Sequence, residues 1–168
     1  ERIHYRVVQF FRVLTAPLTP VDKVYVRSCL DHSNDHNGAS DRLYQLFLEM
    51  SRTEQHHGIR VCRLLEAEGY KDPDLLTAAL LHDVGKVLNP PSLWERVLVV
   101  LTERFFPNLA KRWADGMSTG LRRGFVVRRR HAGWGAELAA EAGASERTVT
   151  LIRDHTMPAG EDELLAAL

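Results

Sequence analysis

Residues 72–88 read Asp72-Pro73-Asp74-Leu75-Leu76-Thr77-Ala78-Ala79-Leu80-Leu81-His82-Asp83-Val84-Gly85-Lys86-Val87-Leu88. Asp72-Pro73 is a helix start. The Asp side chain accepts from first-turn N–H groups that have no partner inside the helix, and Pro at the first helical position gives up no bond. The helix that follows is apolar at Leu75, Leu76, Ala78, Ala79, Leu80 and Leu81, which covers most of its circumference. Such a helix is buried on all sides. Gly85 is expected to break it and let Lys86 turn back toward the polar pair His82-Asp83.

The flanking sequence supplies helices to surround it. Ile3, Val7, Phe10, Phe11 and Leu14 fall at helical spacing, and Pro17 and Pro20 stop that element. Thr19-Pro20-Val21-Asp22 reads as a cap, a first-turn Pro and an acid, opening a helix to about Leu30. Residues 31–40 are a polar loop. Leu43, Leu46, Phe47 and Met50 mark the next helix. Thr53 is read as the cap of another, with Val61, Leu64 and Leu65 as its buried stripe and Gly69 as its end. Ser92-Leu93-Trp94-Glu95 is a capping box. It opens an apolar helix to about Phe106, with Trp94 read as core and Pro107 as the stop.

Residues 107–130 look less regular, with Gly116, Gly120 and Gly124 among them, and Phe125-Val126-Val127 is too short to assign. Further helices are expected over 132–142, 145–155 and 161–168, with Gly143 ending the first and Ser145 capping the second. No segment alternates apolar and polar residues long enough for a strand. The expected fold is all-α, a single bundle of about seven to nine helices. Residues 1–50 form a helical extension that either packs on the core or mediates a homodimer. Residues 89–130 form either a lid or an oligomerising helix pair.

Composition bounds the function. The 168 residues are 45% hydrophobic, enough for one core, and carry 22 basic against 22 acidic side chains. A neutral chain is not a general nucleic-acid binder, which needs a net basic surface. The basic residues are 18 Arg and four Lys, with Arg122, Arg123, Arg128, Arg129 and Arg130 clustered. That cluster is either a solvated face or, since Arg128 to Arg130 lead into His131, a phosphate grip. No apolar run approaches the ~18 residues of a membrane span. No signal-peptide pattern opens the chain, and Cys29 and Cys62 lack metal-type spacing, so a reducing cytoplasm is expected.

Five residues carry the chemistry: His57, His82, Asp83, His131 and His155. Imidazole and carboxylate ligate Mn, Fe, Zn, Co and Ni. A buried Asp is costly unless it is paired or bound to a cation. The bland alternative for each His is a neutral ring bonded to backbone at a helix end. His56 points about 100° away from His57 on a helix and is read as exposed. Glu54 and Asp154 are candidate partners for ligand imidazoles. His32 and His36 belong to a solvated loop. Trp113 is read as partly exposed, and Trp134 either walls the pocket or packs on a neighbouring helix.

The ordered series His57, then Leu80-Leu81-His82-Asp83-Val84-Gly85-Lys86, then His131, then Ile152-Arg153-Asp154-His155 resembles the HD-domain superfamily of metal-dependent phosphohydrolases over about residues 50–168. The resemblance implies an HD domain over 51–168, a metal site of one or two divalent ions, and water attack on a nucleotide or another small phosphate ester. His57, His82 and Asp83 would ligate one ion. Asp83 would bridge to a second ion held by His131 and His155. Lys86 would contact phosphate, with Arg128 and Arg130 as further substrate contacts. The chain departs from the family in having Thr156 where many two-metal relatives have a second His. The family's last Asp ligand has no match before Leu168 and is expected beyond it or absent. The resemblance leaves two other readings, a di-iron oxygenase and a non-catalytic nucleotide sensor. The GYP motif of cyclic-dinucleotide enzymes is absent.

Overall fold

Asp72 caps the central helix as expected, its Oδ1 accepting from the Leu75 N–H at 2.9 Å. The computed structural model describes residues 19–31, 38–116, 119–158, 160 and 162–168, and the readings that fall on residues 1–18, His32 and His36 lie outside them. Among the described residues all regular structure is helical, with nine α-helices, two short 3-10 turns and no strand. In chain order these are α1 (Lys23–Leu30), α2 (Ala39–Glu49), α3 (Arg52–Ala67), α4 (Pro73–Leu81), α5 (Leu93–Phe105), α6 (Pro107–Ala114), α7 (Arg123–Glu141), α8 (Glu146–Asp154) and α9 (Glu163–Ala167), with 3-10 turns at Val84–Leu88 and Gly120–Arg122. No helix among them is long and apolar enough to cross a membrane.

Every residue of α4 from Leu75 to Leu81 is buried. Leu75, Leu80 and Leu81 are 0% exposed, and each such side chain contributes roughly 1.5–3 kcal/mol by leaving water. Val26, Leu30, Leu43 and Phe47 of α1 and α2 share that core with Ala136 and Ala139 of α7 and Leu151 and Ile152 of α8. Gln55 locks α3 against the end of α2. Its Nε2 donates to the carbonyls of Phe47, Leu48 and Met50 at the C-terminal end of that helix.

Several expectations are corrected by tertiary context. α1 starts at Lys23, with Asp22 rather than Thr19 as its cap and Tyr25 N–H donating to Asp22 Oδ1 at 3.1 Å. Ser51, not Thr53, caps α3. The buried face of α3 is Gln55, Ile59, Cys62 and Leu65, while Leu64 is 57% exposed. Pro107 does not stop helicity; it opens α6, where its missing N–H costs nothing. The long helix α7 begins at Arg123 rather than near residue 132, so Phe125-Val126-Val127 are helical and buried. Gly124 and Gly135 within it are points of close approach rather than breaks. A Cβ at Gly124 would stand 3.1 Å from the Val99 side chain.

Trp94 is not core but 80% exposed. α5 and α6 form a separate small cluster of Val99, Ala110 and Phe125, with Trp113 packed edge-on to Phe125 at 5.3 Å between ring centres. The capping box of Ser92 and Glu95 is formed as read, with Ser92 N–H donating to Glu95 Oε2 at 2.6 Å.

Candidate metal centre

His82 and Asp83 sit where α4 ends. His82 is the last helical-geometry residue, and Asp83 adopts φ −94°, ψ 1°, leading into the 3-10 turn that carries Lys86. Gly85 acts differently from the expected helix breaker. A Cβ there would overlap the His131 carbonyl oxygen and come within 2.6 Å of the Gly135 backbone nitrogen. Its missing side chain lets the backbone of α7 lie against the turn, which brings His131 to Asp83. Gly58 does the same on the other side: a Cβ would stand 2.7 Å from the Leu80 carbonyl oxygen. The α3–α4 approach at Gly58 sets His57 beside His82.

The four imidazoles then meet edge to face. Ring centres are 5.0 Å apart for His57 and His82, 5.1 Å for His82 and His155, and 5.2 Å for His131 and His155. Nδ1 of His82 lies 2.9 Å from the Ala79 carbonyl, Nδ1 of His131 lies 2.8 Å from that of Arg128, and Nδ1 of His155 lies 2.7 Å from that of Ile152. A carbonyl only accepts, so each Nδ1 carries its proton and a neutral ring keeps its Nε2 lone pair free. Backbone bonding of one nitrogen to orient the other is the arrangement that ligand histidines require. His57 differs: its Nδ1 accepts from an Arg60 guanidinium N–H at 2.8 Å, which in a neutral ring puts the proton on Nε2, so His57 offers a lone pair to an ion only when Arg60 gives up that bond.

Asp83 lies at the centre, its side chain 8% exposed. Its Oδ1 is 2.5 Å from Lys86 Nζ and 3.4 Å from His131 Nε2, and its Oδ2 is 3.7 Å from His82 Nε2. Burial alone would raise the Asp83 carboxyl, but His82, His131 and Lys86 hold it well below its ordinary value. Burial pushes the His82 ring down to about 4 against the pull of Asp83, and lowers His57 and His155 too. Two overlapping groups could hold a metal ion, His57 with His82 and Asp83, and Asp83 with His131 and His155, their ligand atoms all within 4.8 Å of one another. The donor set of neutral nitrogens and one shared carboxylate suits divalent transition ions.

One cavity contains His57, His82, Asp83, Lys86, His131 and His155. Arg128 also lines it, but pairs with Glu103 at 2.7 Å. Arg130 is exposed and outside the lining, contrary to expectation, because the α7 face that carries His131 also carries Val127 and Arg128. Arg129 reaches the cavity instead and pairs with Asp115 at 2.6 Å. Glu54 is buried, yet it pairs with Arg96 of α5 rather than with an imidazole. Asp154 makes no hydrogen bond to a ligand imidazole among the described residues. His56 turns away, its Nε2 3.1 Å from the Thr19 carbonyl. Trp134 is half-buried and does not line the cavity. Asp162 is no ligand: it pairs with Arg147 at 2.6 and 2.7 Å and caps α9. Arg60 was legible only as a residue three positions after His57, a spacing that makes helix neighbours.

Comparison with protein-family models, with curated proteins and with solved structures yields no match to this chain.

Proposed function

We propose that the chain is a metal-dependent phosphohydrolase of the HD-domain type, acting on a small phosphate ester. The observation that carries this reading is the sharing of one buried carboxylate, Asp83, by two groups of candidate ligands. His57, His82 and Asp83 would hold one divalent ion, and Asp83, His131 and His155 a second. Such ions, when bound, supply Lewis acidity and lower the pKa of water toward ~7.

The chain's own residues do the rest. The carbonyls of Ala79, Arg128 and Ile152 hold the protons of His82, His131 and His155 at Nδ1. Lys86 Nζ sits at Asp83 Oδ1 and on the cavity wall, where it balances the charge of a phosphate. Arg128 reaches that phosphate only by leaving Glu103. Water oxygen attacks phosphorus, the bond from phosphorus to the ester oxygen breaks, and the leaving oxygen takes a proton to give alcohol and inorganic phosphate.

The test is metal analysis of the purified protein, then phosphate release with Mn, Fe, Zn, Co or Ni restored. Asp83→Ala should lose bound metal and cut turnover by on the order of a thousandfold or more. Lys86→Met should keep the metal and lose most turnover. Wild-type metal content and turnover in Asp83→Ala would sink the assignment. Oxygen uptake by iron-loaded protein without phosphate release would replace it with the oxygenase reading.

A further inference from the structure

We infer that the substrate of this site is a phosphate ester of an apolar alcohol, with an alkyl or isoprenyl chain as leaving group. The inference rests on the phosphohydrolase reading for its head group and on the cavity wall for its tail. The cavity holds about 1040 Å³. That is the upper end of the ~300–1,000 Å³ usual for small-molecule sites, far more than a phosphate needs. The histidines, Asp83 and Lys86 occupy one part of the lining. Val61, Val100, Pro107, Ala114 and Met157 make up much of the remainder and keep part of their surface exposed, while Val99, Ala110, Phe125 and Val127 line it from nearly buried positions.

Five of the six charged side chains on that wall are already paired, Lys111 being the sixth. Arg96 binds Glu54, Glu95 binds Arg123, Glu103 binds Arg128, and Arg129 binds Asp115. Lys111 and Thr156 are the other polar side chains there apart from the ligands and Lys86. Among the described residues the lining has no Asn, Gln, Ser, Tyr or Trp. A nucleobase is read by aromatic stacking and by hydrogen bonds to its edges, and this wall offers neither an amide nor a broad aromatic face. Phe125, its one aromatic, is 2% exposed. A base placed there would, apart from Lys111 and Thr156, find hydrogen-bonding groups only by breaking those ion pairs, which is costly. A hydrocarbon chain has no such groups and gains by every methylene buried.

The experiment uses the metal-loaded protein and a series of n-alkyl phosphates from methyl to decyl, alongside nucleoside monophosphates. Released phosphate gives kcat/KM. Each methylene should raise it roughly fourfold over the first several carbons, which is ~0.8 kcal/mol at 1.4 kcal/mol per tenfold. Nucleoside monophosphates should fall below octyl phosphate. A flat alkyl series, or a nucleotide that outruns decyl phosphate, overturns the inference. Val100→Asp, which puts a charge on the exposed part of the wall, should flatten the chain-length slope; an unchanged slope in a folded variant counts against it. Calorimetry with non-hydrolysable methyl- and decylphosphonate separates the two readings. Tighter decylphosphonate binding without turnover of any ester leaves the tail pocket standing and removes the hydrolase. Equal affinities remove the tail pocket whether or not esters are hydrolysed.

Discussion

The body of the molecule and the α5–α6 pair are built on different terms. In the body, α4 is buried along its length and shares a core with α1, α2, α3, α7 and α8. In the pair, the buried residues are Val99, Thr102 and Ala110, while Trp94, Leu101, Phe105 and Phe106 face outward at 80, 51, 66 and 63% exposure. Ion pairs from Arg96 to Glu54, from Glu95 to Arg123 and from Glu103 to Arg128 tie the pair down. Close packing holds the ligand rings at fixed separations. Charge pairing, with a small apolar patch, holds the wall of the cavity. The arrangement of the four imidazoles and Asp83 is therefore set by close packing, and the far wall of the cavity by ion pairs.

The contrast breaks most severely at Gly85. Gly85→Val should prevent folding or leave an aggregate, since the added atoms collide with backbone of α7 rather than with a movable side chain. Soluble yield and thermal melting read this out. Glu54→Ala comes next. It leaves Arg96 without its partner, and because Arg96 is 32% exposed the cost is about 1–3 kcal/mol rather than that of a fully buried pair. Its melting point should fall, and hydrogen exchange should rise in α5 before α4.

Acid sharpens the comparison in the metal-free protein. His82 accepts its proton near 6.5 when unfolded but only at about 4 when folded, so its contribution is complete above pH 6.5 and is lost as pH falls toward 4. His57 and His155 are shifted in the same direction and add to the loss. Glu95, which burial alone would raise, is held below its ordinary 4.5 by Ser92 and Arg123, so the tether it makes weakens only at more acid pH. Chelator-treated protein melted from pH 8 to 4 should lose stability in the body first. The smallest effect is at Trp94, where Trp94→Ser should change stability by no more than about 0.5 kcal/mol, as for an exposed position. A larger loss would mean that α5 is held by its outer face.

How far the sequence could be read follows the same division. Caps at Asp72, Ser92 and Ser145 were legible because their partners lie three residues away. The buried character of α4 was legible because it is apolar on nearly every side. Trp94 was misread because helical periodicity reports that a stripe exists, not whether a neighbour covers it. Thr19 and Thr53 were misread as caps because Asp22 and Ser51 compete for the same N–H groups within a few residues. The direction of Arg128 and Arg130 depended on where α7 starts, and Arg123-Gly124 gave no start signal.

By itself the sequence determined that the chain is helical, and that His57, His82, Asp83, Lys86, His131 and His155 are the residues with chemistry to offer. Those are matters of residue type and local spacing. Only the tertiary structure decided that the six line one cavity, that Asp83 belongs to both candidate groups, and that Arg60 contacts His57 and Lys86 contacts Asp83. It also decided that the cavity continues along a wall with apolar residues from α5 and α6, where most of the charged side chains are held in ion pairs. Those features depend on close backbone approach at Gly58 and Gly85 between segments far apart in the chain, which no local pattern encodes.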